Sequence, residues 1–374
     1  MVSFSPKAIL ILAPIIQATA IILPAPSGPY STTLTSLKLT DRKRLDPYAP
    51  MQTPRALMIS VFNPMPASQC SKTLTPYMDP ITAEFKDSAY ADWGIPAGTF
   101  GSINYQTCKS SSRNAKAYPI VIFSPGGGNS RLTNGIIAQQ VASAGYAVIT
   151  VDHPYDADIV TFPDNSTILG IDVEDDLDFL VDTRAKDVSF VLDQLTVPSI
   201  SDKIFPGIGC ELDVSQVTMF GHSLGGATAA QVMLKDKRVI GGINLDGSFF
   251  GTVVQSGLKK PFLIFSHEGK NLTTDASWGA TWSVLSGWKR QFELKGSAHG
   301  TFTDFPALVH ALGFEGMLGD AGVELVGTIG GVRSLEIITA YVEAFVGFIL
   351  KGGQSALLDG KVGTYPEVNM DASS

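Results

Sequence analysis

Gly221-His222-Ser223-Leu224-Gly225 lies between an apolar run, Val217 to Phe220, and a run that reads as a helix, Gly226 to Leu234. Strand, sharp turn and helix in that order make a nucleophile elbow, with Ser223 presented at the bend. Such a turn holds the serine in a strained backbone conformation and presses its neighbours against adjacent backbone. Small residues are therefore needed two positions to either side, and Gly221 and Gly225 supply them. Gly226, Ala227, Ala229 and Ala230 let the helix begin close to the sheet. A glycine-rich helix start capped by a serine has the same five residues, so the other groups of a catalytic set must decide between the two.

Around the elbow, short apolar runs recur at Ala56 to Phe62, Pro119 to Phe123, Tyr146 to Val151, Gly241 to Leu245 and Pro261 to Phe265. They alternate with helical patterns at Leu132 to Ala144, Leu177 to Leu195 and Ala227 to Leu234. In the second of these Val181, Arg184, Val188, Val191, Leu192 and Leu195 share one side. Alternation of this kind predicts an α/β fold, a mostly parallel central sheet with helices on both faces. Ligands of such sheets sit beyond the carboxyl ends of the strands. Ser334 to Leu350 reads as a terminal helix packed on the sheet, because Glu336 and Glu343 and its length argue against a membrane span. Phe305 to Gly331, rich in Gly, Leu and Val, is open to three readings: a cover for the pocket, a lipid contact or ordinary core.

The chain has 374 residues, of which 44% are hydrophobic and 17% charged, so it can bury a large core and is not disordered. Its formal charge of −8, without a basic cluster, excludes nucleic acid as a natural partner. Lys7, the apolar Ala8 to Ile16 and the small residues Ala18-Thr19-Ala20 read as an export signal over residues 1–20. Residues 21–374 are then expected to form a single α/β domain with an extended N-terminal region, 21–55. Cys70 and Cys108 fall together in a loop-rich region and are expected to be bridged after export, leaving Cys210 free or buried. Asn165-Ser166-Thr167 and Asn271-Leu272-Thr273 are glycosylation sequons. There is no CxxC or HExxH pattern, and the acidic run Asp172 to Asp178 lacks the glycine of a calcium loop, so no metal or cofactor is expected.

A serine needs a base to take its proton and an acid to orient that base. Among five histidines, His153 and His222 do not follow Ser223, His267 leaves little room after the acid candidates, and His310 lies in an apolar helical run. His299 remains, in the loop Gly296-Ser297-Ala298-His299-Gly300 after a strand-like Gln291 to Leu294. Asp246 is the first candidate for the acid, with Glu268 and Asp275 one strand later as alternatives. For the oxyanion, the N–H groups of Leu224 and of Gly127 in Phe123-Ser124-Pro125-Gly126-Gly127-Gly128 are the expected donors, with Gly126 as the alternative to Gly127. A triple glycine without a following Gly-Lys-Ser/Thr does not bind nucleotide.

These segments, together with Asn244-Leu245-Asp246-Gly247 and Gly296 to Phe305, resemble the secreted, calcium-independent platelet-activating factor acetylhydrolases over most of Ala56 to Leu350. The resemblance implies an α/β-hydrolase fold and a Ser223, Asp246, His299 triad, because that family carries its acid in a Leu-Asp motif after the strand following the nucleophile. It implies main-chain donors at Gly127 and Leu224, no metal, and a short-acyl phospholipid or other small ester as substrate, with transient contact to a lipid surface. Two departures bear on the pocket: Pro125-Gly126-Gly127-Gly128 stands where the animal members have His-Gly-Leu-Gly, and Gly247-Ser248-Phe249-Phe250 where they have a tryptophan motif. Rival expectations are a cutin-like polyester hydrolase or general short-chain carboxylesterase, and a binding protein that has kept the scaffold without turnover.

Overall fold

Apolar, β-branched runs too short for helices form the centre of the molecule. The computed structural model describes residues 20–110, 117–206, 208, 212–361 and 363–373. The export signal proper and Cys210 lie outside them. The main sheet has nine strands: β1 Tyr30–Leu45, β2 Pro54–Pro66, β3 Ile120–Ser124, β4 Ala147–Val151, β5 Val217–His222, β6 Val239–Leu245, β7 Phe262–His267, β8 Lys289–Leu294 and β9 Val368–Ser373. Their order across the sheet is β9-β8-β7-β6-β5-β3-β4-β2-β1. The six strands from β4 to β8 in that order run parallel, and β2 and β9 join them antiparallel. All six expected strands are present, each within a few residues of its expected ends.

Strand residues alternate between two cores, as a pleat requires. Val121, Phe123, Val148, Phe220, Leu245 and Phe265 face one cluster, completed by helices α1 Gly135–Ser143 and α4 Gly331–Lys351. Ile120, Ile122, Ile149, Met219 and Ile264 face the other, completed by α2 Leu177–Leu195 and α3 Leu224–Lys235. The terminal helix α4 therefore packs on the sheet. Among the described residues no helix is long and apolar enough to cross a membrane. The acidic run opens α2: Asp176 caps it through the Phe179 N–H at 2.9 Å, and Asp178 accepts the Gly251 N–H at 2.6 Å.

The N-terminal region holds an element absent from the sequence reading, the sixteen-residue edge strand β1. Its Ser, Thr and Lys content suits a half-exposed edge and masks the strand when only apolar runs are sought. Cys70 and Cys108 are bridged, tying Lys72–Pro76 to the end of Ile103–Cys108 in a small three-stranded sheet. The sequon residue Asn165 is exposed at the tip of a hairpin, and Asn271 is partly exposed.

Candidate active site

Parallel strands bring their carboxyl ends to one edge, where five segments meet: the loop after β3, the elbow after β5, Asp246 after β6, His267 at the end of β7 and the loop after β8. Ser223 has φ +52° and ψ −124°, the strained conformation of an elbow. A Cβ on Gly221 would lie 2.2 Å from the Gly225 carbonyl, and one on Gly225 would lie 1.9 Å from the Ser124 carbonyl. Both positions therefore require glycine. Ser223 and His299 line the same cavity of about 290 Å³, with Gly127, His222, Tyr77, Tyr90, Phe100, Phe305, Leu308 and Leu325 also in its wall. Phe305, Leu308 and Leu325 show that the segment after His299 folds over the pocket.

His299 Nδ1 donates to Asp246 Oδ2 at 2.5 Å, leaving Nε2 as the acceptor. Asp246 is fully buried, whereas the His299 side chain is 47% exposed. Burial alone pushes the Asp246 carboxyl up, but hydrogen bonds from His267 and His299 and the nearby Lys270 ammonium outweigh it and hold the group well below the usual carboxylate range. The alternative acids are engaged elsewhere. Glu268 accepts the Gly296 N–H at 2.9 Å, supporting the histidine loop, and Asp275 caps the helix Ala276–Val284 while accepting from Ser248 at 2.5 Å.

Leu224 is the first residue of α3, so its N–H is one of the donors that a helix leaves without an internal partner. A Cβ on Gly127 would lie 3.6 Å from Leu224 Cδ2, which makes the two expected oxyanion donors neighbours. What aims the glycine loop is Arg184, fully buried on α2. Its Nη1 donates to Pro125 O at 2.6 Å and its Nη2 to Gly126 O at 3.1 Å, while Asp156 pairs with the guanidinium and accepts the Gly128 N–H at 3.2 Å. In a trans peptide the N–H opposes the C=O, so tying the Gly126 carbonyl to Arg184 turns the Gly127 N–H the other way. Of the two glycines weighed as donor, Gly127 reaches the cavity wall.

A buried Ser-His-Asp relay lies beneath this loop. Ser124 Oγ and His153 Nε2 are 2.9 Å apart, and His153 Nδ1 and Asp187 Oδ2 are 2.9 Å apart. All three side chains are buried, so no substrate reaches Ser124. Arg55 forks onto Asp187 with two bonds of 2.7 Å and reaches Asp46 at 2.9 Å, so the relay braces the sheet under the glycine loop. Burial pushes Asp187 up, yet Arg55 and His153 hold it well below the usual range. Burial, reinforced by Arg184, lowers His153 to about 4. His222, which donates its Nε2–H to the His299 carbonyl at 3.1 Å, is lowered to about 3 by burial and by His299.

Both buried histidines titrate below their unfolded value of about 6.5, so the unfolded chain takes up protons that the folded chain refuses. Their contribution to stability is complete above about pH 6.5 and is lost as pH falls through that value toward the folded pKa, by up to about 1.4 kcal/mol per pH unit for each. Asp304 and Glu343, both pushed up to about 7 by burial, act in the opposite direction over the same range, so the histidines are read individually, as imidazole NMR signals expected to stay mostly neutral down to pH 5. A His153 or His222 signal that titrates near 6.5 contradicts the burial of the neutral ring.

Sequence reasoning set His153 and His267 aside and gave Arg184 no role. A lone arginine in the buried stripe of α2 was the available signal, because a buried guanidinium needs partners. His267 Nδ1 donates to Asp246 Oδ2 at 2.7 Å, making it a second imidazole on the same carboxylate oxygen.

Comparison with known proteins points to esterases. The family described as platelet-activating factor acetylhydrolase, isoform II, matches residues 83–171 and 205–345. A probable 1-alkyl-2-acetylglycerophosphocholine esterase of Arthroderma benhamiae is 36% identical, over 94% of each chain. The platelet-activating factor acetylhydrolase of Cavia porcellus is 27% identical over 52% of this chain and 50% of its own. A solved ferulic acid esterase from Streptomyces cinnamoneus superposes with a TM-score of 0.80 at 32% identity, over 95% of this chain and 100% of the other. The chain therefore belongs to the platelet-activating factor acetylhydrolase isoform II family, has the α/β-hydrolase fold and is an ester hydrolase.

Proposed function

We propose that the chain is a secreted serine esterase that removes a short acyl group, such as the sn-2 acetyl of an ether phospholipid, with Ser223 as nucleophile, His299 as base and Asp246 as acid. The observation that carries this reading is the hydrogen bond from His299 to Asp246 at the wall of the cavity that Ser223 also lines. Ser223 Oγ attacks the ester carbonyl as His299 Nε2 takes its proton. The imidazolium that forms is stabilised by Asp246, and the oxyanion by the N–H groups of Gly127 and Leu224. His299 returns the proton to the leaving alcohol, and water then releases the acid by the same steps.

Cavity size supports a short acyl group, because about 290 Å³ is at the small end for ligand sites. Export is supported by the Cys70–Cys108 bridge, which persists in oxidising compartments. A second reading, hydrolysis of an aromatic acyl ester, is favoured by the ferulic acid esterase likeness and by the rings beside the cavity, Tyr90 against Phe305 at 5.4 Å and Phe100 at 5.8 Å.

The deciding experiment compares kcat/KM for 1-alkyl-2-acylglycerophosphocholines of increasing acyl length with methyl ferulate and a simple polyester. Highest activity on the acetyl ester, falling with each added pair of methylenes, is expected. Preference for methyl ferulate or the polyester overturns the phospholipid reading.

A further inference from the structure

We propose that Asp246, His267 and His299 form a binding site for a divalent transition-metal ion of the zinc class, and that occupying it shuts the esterase off. The inhibitory half of this proposal rests on His299 being the base. Each residue offers one donor atom, and the three atoms lie within 4.8 Å of one another. Both imidazoles already point Nδ1 at the same carboxylate oxygen, at 2.7 and 2.5 Å. Ligands of one tetrahedral zinc, each about 2.0–2.1 Å from it, stand about 3.3 Å apart. The rings therefore need to back away from that oxygen by less than about 1 Å, and to close a gap between their own Nδ1 atoms of at most 4.8 Å to about 3.3 Å.

Both rings have an exposed side toward which to shift. The His267 and His299 side chains are 30% and 47% exposed, which also gives the ion access and leaves room for a water as fourth ligand. Asp246, by contrast, is held by its backbone, whose N–H donates to Phe265 O at 2.8 Å. Two imidazoles and one carboxylate suit zinc or copper, whereas calcium and magnesium need more oxygens. The cation beside the cluster, Lys270, is tied to the Asp246 carbonyl at 2.8 Å and to Asp275 at 3.4 Å, so its charge is partly answered there.

Inhibition follows from the tautomer. Catalysis needs the Nδ1 proton of His299 on Asp246 and a lone pair at Nε2. A metal ligated by Nδ1 takes that lone pair, so the neutral ring carries its one proton at Nε2. His299 then has nothing with which to accept the Ser223 proton, and Asp246 no longer orients it. No metal motif is visible in the sequence because the donors come from the ends of three successive strands.

The test uses the full-length protein freed of metal by chelation. Micromolar zinc should lower hydrolysis of p-nitrophenyl acetate at least about tenfold, EDTA should restore it, and magnesium or calcium should have no effect. His267→Asn keeps a donor toward Asp246 but removes a ligand, and should raise the zinc needed by about tenfold or more. Binding is read separately by calorimetry on Ser223→Ala, where one zinc per chain is expected and should be lost in Ser223→Ala/His267→Asn. Absence of that binding, or binding unaffected by His267→Asn, overturns the site. Binding to Ser223→Ala without inhibition of the unsubstituted enzyme overturns the inhibitory role. Failure of the serine esterase reading would show differently, as activity surviving in Ser223→Ala, and would leave the calorimetry unchanged.

Discussion

Asp246→Asn is expected to lower kcat/KM for a short-chain ester by about 10⁴-fold while leaving the protein folded. The aspartate accepts three bonds, from the His267 N–H and from the Nδ1 atoms of His267 and His299. An asparagine of the same shape can accept at only one of its two terminal atoms. Its amide nitrogen, if it faces the rings, forces them to present a lone pair at Nδ1 and the proton at Nε2. In that tautomer His299 cannot take a proton from Ser223. Asp275→Asn is the comparison, since that carboxylate caps a helix and should cost stability rather than rate. Steady-state kinetics and thermal melts on both variants separate the effects. A loss confined to Asp275→Asn assigns the acid to the later strand instead.

Arg184→Lys should lower kcat by about 10²-fold or more with little change in KM. Lysine keeps the charge that Asp156 needs, so the protein is expected to fold, but an ammonium cannot span the Pro125 and Gly126 carbonyls as the planar fork does. Once the Gly126 peptide is free to rotate, the Gly127 N–H is no longer aimed in advance, and stabilisation of the developing oxyanion is lost. Substrate binding in the aromatic-lined cavity is untouched, which is why the loss should fall on kcat. A variant with normal kcat, or one in which KM alone rises, contradicts the brace.

Much of this architecture was legible because it follows from local rules. Glycines flanking Ser223 announce the elbow, apolar runs announce the central strands, and a histidine in a Gly/Ser/Ala loop at a strand end announces its exposure. Other features depend on contacts between distant segments and leave little local trace. Arg184 is about sixty residues from the loop it braces. His267 looks superfluous until the sheet places it against Asp246. The relay of Ser124, His153 and Asp187 joins a strand end, a loop and a helix, and no spacing rule anticipates it. Strand β1 was hidden for a different reason: its polar, half-exposed sequence differs from the buried strands that periodicity reveals most readily.

Ser124 has a histidine and an aspartate in line behind it and is buried, whereas Ser223 lines a cavity together with His299, which is bonded to Asp246. Treating the folded enzyme with diisopropyl fluorophosphate and mapping the adduct by peptide mass spectrometry tests which one is activated. One phosphoryl group on Ser223, with loss of esterase activity in proportion to labelling, is the expected result. An adduct on Ser124, or an inert Ser223 in protein that still hydrolyses esters, contradicts the assignment of the nucleophile.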